Sequence, residues 1–280
     1  MLRILEVFVA LTSQQLIGYQ LAEFTIASNR RLWMIALQFL VAAAAAAAVL
    51  TDDHTDLYFL GVAGAVLLVA WVMAERSYRK HREAAERGRR ATLLIDGLGH
   101  PVSQSELAIL KEAFIVPAEK ASKYEDPKYF AAKAPAGPKR LTEMLAESAF
   151  WTSRLQSKSV TLMIGMFVVI VIGTLVVGLI AFPIAKHEQM VTAVRVFLAF
   201  LTFLLSTDVW GAIQGHLAAI NAIEDVRARL RTISATDYPL SDLLLAMNDY
   251  NAAVESGPLN FPYAYKFFST QLNKEWREIA

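Results

Sequence analysis

Apolar and polar positions divide this chain into long uncharged stretches separated by charged, helix-patterned ones. The clearest stretch is Val160 to Phe182, VTLMIGMFVVIVIGTLVVGLIAF, which carries no charge and only Thr161 and Thr174 as polar side chains. About 20 such residues cross a bilayer core, and in hydrocarbon an isolated backbone can satisfy itself only as a helix. A soluble core helix of this length would show one polar face. The run is therefore expected to span a membrane. Leu32 to Leu50 reads as an earlier span despite the amide of Gln38, and its seven consecutive alanines, Ala42 to Ala48, let a neighbouring helix approach closely. After the turn TDDHTD, Leu57 to Ala74 returns as the second span, with Gly61 and Gly64 expected to face the alanines in a tight hairpin. A fourth span runs from about Met190 to Ser206 and is joined to the Val160 run by PIAKHEQ.

The remaining segments read as helices and loops. ERSYRKHREAAERGRRATLLIDGLG continues the second span as a straight helix that stops at Gly97 or Gly99. Ser103 and Glu106 fit a capping box that opens SELAILKEAF. EKASKYEDPKYFAAKAPAGPK, rich in Pro, Ala and Lys, reads as a loop, and from Pro138 a helix feeds directly into the third span. WGAIQGHLAAINAIEDVRARLRTI extends the fourth span, Pro239 precedes the helix LSDLLLAMNDYNAAVES, and Pro262 opens the amphipathic YAYKFFSTQLNKEWREI. At the amino terminus Leu2, Leu5, Phe8, Leu16, Tyr19 and Phe24 recur at roughly helical spacing. Glu6 interrupts that segment and no small-x-small cleavage pattern follows, so it reads as a retained helix rather than a signal peptide.

No stretch alternates as a strand would. The predicted fold is an all-α membrane protein, with four transmembrane helices in two hairpins and a helical cytoplasmic domain formed by the central insert and the C-terminal helices. The expected divisions are 1–31, an N-terminal cytoplasmic amphipathic helix; 32–74, the first transmembrane hairpin; 75–159, the central cytoplasmic region; 160–210, the second hairpin; and 211–280, the C-terminal cytoplasmic region. Lys and Arg concentrate before the first span, after the second and before the third, which places both termini and the central region in the cytoplasm.

Composition agrees with a few spans plus a soluble portion: 280 residues, 55% hydrophobic, mean hydropathy +0.38. A net charge of +1 gives no electrostatic case for a nucleic-acid polymer as partner. The absence of cysteine excludes disulfides, thiolate metal sites and cysteine nucleophiles. Catalytic signatures such as HExxH, GxSxG, GxxxxGK[ST] and the dinucleotide fingerprint are missing, so no enzyme and no cofactor are expected. Asp52, Asp53, His54 and Asp56 lie in a loop too short to wrap a cation, so no metal site is expected either.

Candidate chemistry is confined to a few polar groups. Gln38 and Arg195 are the ones nearest membrane depth and mark either a pore or a packed helix pair; Arg195 has the alternative of snorkelling to the interface. The run Arg76 to Arg90, interleaved with Glu75, Glu83 and Glu86, reads as a solvated helix face with i,i+4 pairs. Lys139, Arg140, Trp151, Arg154 and Lys158 combine basic and aromatic groups on a helix entering the membrane. Such groups suit nucleotide phosphates and base stacking, or, with Phe150, a membrane-interface belt.

The layout of two hairpins with a helical insert coincides with two short pieces, AESAFW before the third span and PLNFPYAY followed by LNKEW near the end. Together they resemble the four-span membrane effectors of bacterial cyclic-oligonucleotide (CBASS-type) antiphage signalling. The resemblance implies a bacterial inner-membrane protein that responds to a cytoplasmic cyclic di- or trinucleotide by forming a homo-oligomer and permeabilising the bilayer. An anionic nucleotide would then be expected where Arg140, Trp151 and Arg154 meet the terminal helices around Tyr250 and Tyr265. A small constitutive channel or transporter subunit, and a membrane scaffold for a soluble partner, are the competing readings.

Overall fold

The computed structural model describes residues 11–51, 53–181 and 209–279. The connector PIAKHEQ, the fourth predicted span with Arg195, and the apolar positions Leu2, Leu5 and Phe8 lie outside these residues. Among the described residues the chain is all-helical, without a strand. In order they form α1 (Ser13–Leu50), α2 (His54–Thr92), a π-helical turn (Leu93–Leu98), α3 (Gln104–Ala113), the single turn α4 (Ala118–Ala121), α5 (Pro138–Ala181), α6 (Trp210–Ala235), α7 (Leu240–Ser256) and α8 (Ala264–Ile279).

Local chemistry explains where these helices begin and end. At the head of α1, Thr12 Oγ1 accepts the Gln15 N–H (3.2 Å) and Gln15 Oε1 accepts the Thr12 N–H (3.1 Å), a reciprocal capping box. Asp53 Oδ1 caps α2 by accepting the N–H groups of Thr55 (2.7 Å) and Asp56 (3.2 Å), which holds its carboxyl below the usual carboxylate range. The expected helix stop in DGLGH is Gly99, left-handed at φ 73°, whose N–H reaches Ile95 O. Ser103 Oγ accepts the Glu106 N–H and opens α3, and α5 begins at Pro138 as its sequence predicts. Asp237 and Tyr238, both left-handed, turn the chain from α6 into α7.

The described residues fall into two compact units. One comprises the residues up to Ala27, Tyr78–Ser153 and Ala222–Glu255; the other comprises Ser28–Ser77, Arg154–Asn221 and the residues from Ser256 on. Helices α1, α2, α5 and α6 each contribute to both.

The first unit is a packed helical domain. Ile223, Val226, Leu230 and Ile233 on α6 and Leu243, Ala246, Tyr250 and Ala253 on α7 share the same three-four-three spacing, the pattern of a coiled-coil seam. Both stripes close on Leu141, Met144, Leu145 and Ala149 of α5 and on Leu93. A second cluster joins Leu16 of α1 and Ala91 of α2 to Leu107 and Leu110 of α3, with the Tyr19 and Phe114 rings stacked at 4.4 Å. Gly18 is required by close approach, since a Cβ there would meet Ala121 O at 2.7 Å.

The second unit has the opposite character. On α2, Leu57, Tyr58, Phe59, Val62, Val66, Leu68, Val69 and Met73 are exposed; on α1 so are Leu32, Trp33, Phe39 and Leu40, and on α5 Ile164, Val168, Val169, Ile172, Leu175 and Val176. Among the described residues one helix, α2 with its π-helical continuation (His54–Leu98), is long and apolar enough to cross a membrane, and none of its most apolar stretch is buried. Gly61 and Gly64 are not in close contact with the alanines: no described atom comes within 4 Å of where a Cβ would sit on either.

Candidate functional site

Polar groups inside the first unit occupy positions that helical spacing would assign to apolar residues. On α1 the buried stripe reads Leu16, Gln20, Glu23, Ala27. Glu23, fully buried, accepts the N–H groups of Ile115 (2.7 Å) and Val116 (2.8 Å) through Oε1 and meets His81 Nδ1 through Oε2. One carboxylate thus ties α1 to α2 and to the segment after α3. The buried N–H groups it satisfies would otherwise carry a desolvation cost of about 1–3 kcal/mol each.

On α2 the arginine-rich run is only partly the solvated face its sequence suggests. The Glu83–Arg87 pair is exposed at i,i+4 spacing (2.6 Å), but Arg89 and Glu86 are buried, paired at 2.8 Å. Arg89 Nη2 also donates to Asn251 Oδ1 (3.2 Å), and its guanidinium lies 5.1 Å from the centre of the Tyr250 ring. Burial lifts the Glu86 carboxyl above its ordinary range, outweighing the pull of Arg89 and Arg82. Burial alone would lower Arg89, but Glu86, Tyr250 and Glu255 more than offset it. Glu86 Oε1 and Arg89 Nε find no hydrogen-bond partner among the described residues. Arg82 Nη2 caps the end of α7 by donating to the carbonyls of Val254 (3.1 Å) and Glu255 (2.8 Å), where a cation also suits the helix dipole.

Two further groups line the same unit. Tyr129 accepts from Gln20 Nε2 (3.3 Å), and burial, with Tyr250 nearby, pushes its hydroxyl up to about 12. Glu147 Oε2 accepts the Ala131 N–H (2.8 Å), yet burial still raises its carboxyl.

The residues expected to gather a nucleotide have other partners. Arg140 clamps the loop before α5: Nε donates to Asp96 O (3.0 Å), Nη1 to Ala132 O (3.0 Å) and Ala134 O (3.1 Å), and Nη2 pairs with the Asp96 carboxylate (3.0 Å). Tyr250 is a core residue, 1% exposed, sharing a hydrogen bond with Thr152 Oγ1 (3.1 Å). Trp151 is half-buried and meets Phe150 edge-to-face at 5.8 Å. Arg154 and Tyr265 belong to the second unit, where Arg154 Nε lies 3.6 Å from Glu275 and Tyr265 is 58% exposed. Gln38 is half-buried on α1. No cluster of three or more potential metal ligands occurs among the described residues.

In the second unit the chain marks a single level at which two helices, α1 and α5, change from charged to apolar. After α7, Pro258 packs where a Cβ on Gly215 would sit, and Asn260 O accepts from Arg31 Nη1 (3.5 Å), the last charge before the apolar part of α1. The Phe261 N–H donates to Ser159 Oγ (2.8 Å), one residue before the uncharged run of α5, and its ring packs on Val160, Met163 and Ile213. Just on the charged side, Gln156 Oε1 meets the buried His216 Nδ1 at 2.7 Å. The segment PLNF is therefore a strap across the polarity boundary.

The sequence alone singled out neither Glu23 nor His81, and it placed Glu86 and Arg89 on a solvated face, whereas all four are buried. The signal was present: each sits at a stripe position of an otherwise apolar helical pattern. Comparison with family models, curated proteins and solved structures finds no match to this chain.

Two outcomes follow from these contacts. Arg140→Ala, which strips five hydrogen bonds from the 132–134 loop and Asp96, is expected to lower stability by about 2 kcal/mol. Arg154→Ala, at an exposed pair, is expected to change it by less than about 0.5 kcal/mol. Thermal melts in detergent decide this, and equal shifts would contradict the assignment of Arg140 as a clamp. Glu147, raised in the folded state, holds its proton there to higher pH than in the unfolded chain. Its contribution therefore favours folding at low pH and is lost as pH rises through the folded value. Glu147→Gln, which keeps an acceptor for Ala131, should flatten the fall in melting temperature from mildly acidic to neutral pH; an unchanged slope would refute it.

Proposed function

We propose that this chain is a multi-pass membrane protein of the bacterial inner membrane, with four spans and cytoplasmic termini, whose helical unit controls the state of its spans. The observation that carries this reading is the exposed apolar surface of α2. Eight large side chains between Leu57 and Met73 face outward. At about 1.5–3 kcal/mol for a fully exposed side chain removed from water, scaled to their partial exposure, they favour lipid by on the order of ten kcal/mol, comparable to the net stability of many domains. Only a helix-rich segment with every backbone group satisfied can make that transfer.

The effector reading is supported by the pieces AESAFW and PLNFPYAY…LNKEW, and by the continuity of α2, α5 and α6 from charged into apolar sequence. Rigid continuous helices transmit a shift among their charged parts to the parts in lipid. Four spans with so few polar groups cannot enclose water singly, so permeabilisation requires an oligomer. The trigger is an anionic cyclic di- or trinucleotide, which acts only through different affinities for two arrangements of the helices. Because Arg140 and Tyr250 are committed to internal contacts, a nucleotide that uses them must first displace the Asp96 and Thr152 partners. No catalysis is involved.

Dye-loaded proteoliposomes test the proposal. One member of a cyclic di- and trinucleotide panel should trigger leakage and raise the melting temperature, since saturation at 100 times the dissociation constant adds about 2.7 kcal/mol. Liposomes that stay sealed under every ligand would favour a scaffold, and leakage without any ligand a constitutive channel.

A further inference from the structure

The second unit carries an exposed aromatic patch at one end of α8. This helix buries Ala264 and Leu272, with Lys158 Nζ 5.1 Å from the Phe268 ring centre and Arg154 Nε 3.6 Å from Glu275. Around its first turn Tyr263, Tyr265 and Phe267 are 54%, 58% and 71% exposed, with Lys266 exposed among them. At the far end Asn273, Lys274, Arg277 and Glu278 are exposed, together with Ile279 as the last described residue. Polarity thus changes along the helix axis as well as around it.

The chain fixes which level the aromatic end occupies. Phe261, two residues before Tyr263, bonds Ser159 and packs on Val160, Met163 and Ile213, while Asn260 accepts from Arg31. Glu275, by contrast, lies beside Arg154, on the charged side of Ser159. The aromatic turn therefore starts at the level where α1 and α5 change from charged to apolar, and the charged end points away from the apolar runs. A patch meant for another protein would have no reason to follow that gradient.

We propose that the first turn of α8 is a membrane-interface anchor, with Tyr263, Tyr265 and Phe267 seated at the boundary between headgroups and acyl chains and Lys266 reaching lipid phosphates. Tyrosine has an apolar ring and a polar tip, so it is stable where one end is wet and the other is not. Phe267 supplies contact with the acyl chains, and the lysine stem snorkels to the phosphates. Tyr263, left-handed at φ 66°, stands ahead of the first helical turn. The anchor rests on the multi-pass reading, and it holds the strap Pro258–Phe261 against the bilayer surface.

Because the chain has no cysteine, single introduced thiols report cleanly. Phe267→Cys, Tyr263→Cys, Arg277→Cys and, as a reference within the uncharged run, Val169→Cys would each carry a nitroxide in nanodiscs of phosphatidylcholine and phosphatidylglycerol. Collision with oxygen, which concentrates in lipid, is compared with collision with a water-soluble nickel chelate. The anchor predicts an oxygen-to-nickel ratio at 263 and 267 well above that at 277 and below that at 169. If 263 and 267 match 277 while 169 is lipid-like, the anchor is wrong and the span reading stands. A water-like label at 169 overturns both. Dipolar broadening at 267 would mean that a second copy covers the patch, which also overturns the anchor.

Discussion

Apolar side chains on every side of Leu57–Met73 set the constraint on which the rest of this structure depends. A helix with one apolar face is completed by packing against another element; a helix apolar all round is completed only by a non-aqueous surrounding. The described part of α5 beyond Val160 obeys the same rule, with Val168, Val169, Ile172, Leu175 and Val176 exposed. Several polar groups of the second unit are gathered at one edge of these surfaces. Arg31, Gln156, Ser159, His216 and the carbonyl of Asn260 bond one another or the strap.

The first unit faces the reverse problem, with charges inside a packed core. Glu23, Glu86 and Arg89 are buried, and removing one partner of such a pair costs more than the pair contributes. Glu23 is fully used by two backbone N–H groups and His81. Glu86 and Arg89, at the contact between α2 and α7, are less completely satisfied.

Much of the helical organisation was legible in the sequence because punctuation residues act locally. Gly99, Ser103 and Pro138 each set a boundary through backbone conformation or a cap, and these hold whatever the helix packs against. Tertiary roles were less legible. Gly61 and Gly64 suggest a close helix pair, but small residues permit approach without enforcing it, and both lie in open space. Arg140 reads as a phosphate ligand by residue type, whereas its neighbours Ala132, Ala134 and Asp96 present three carbonyls and a carboxylate to it. Its partners are up to 44 residues away in the chain, a distance over which no local pattern speaks. The tail PLNFPYAY was recognisable as a distinctive string; that its first half straps α5 to α6 needed the geometry.

The most direct measurement is an electron cryomicroscopy reconstruction of the full chain in a lipid nanodisc. The disc should encircle residues 57–73 and 164–176, with its headgroup layer level with Arg31, Ser159 and Asn260. A disc that leaves residues 57–73 or 164–176 in water, or a headgroup layer displaced from that level, would contradict the placement of the membrane.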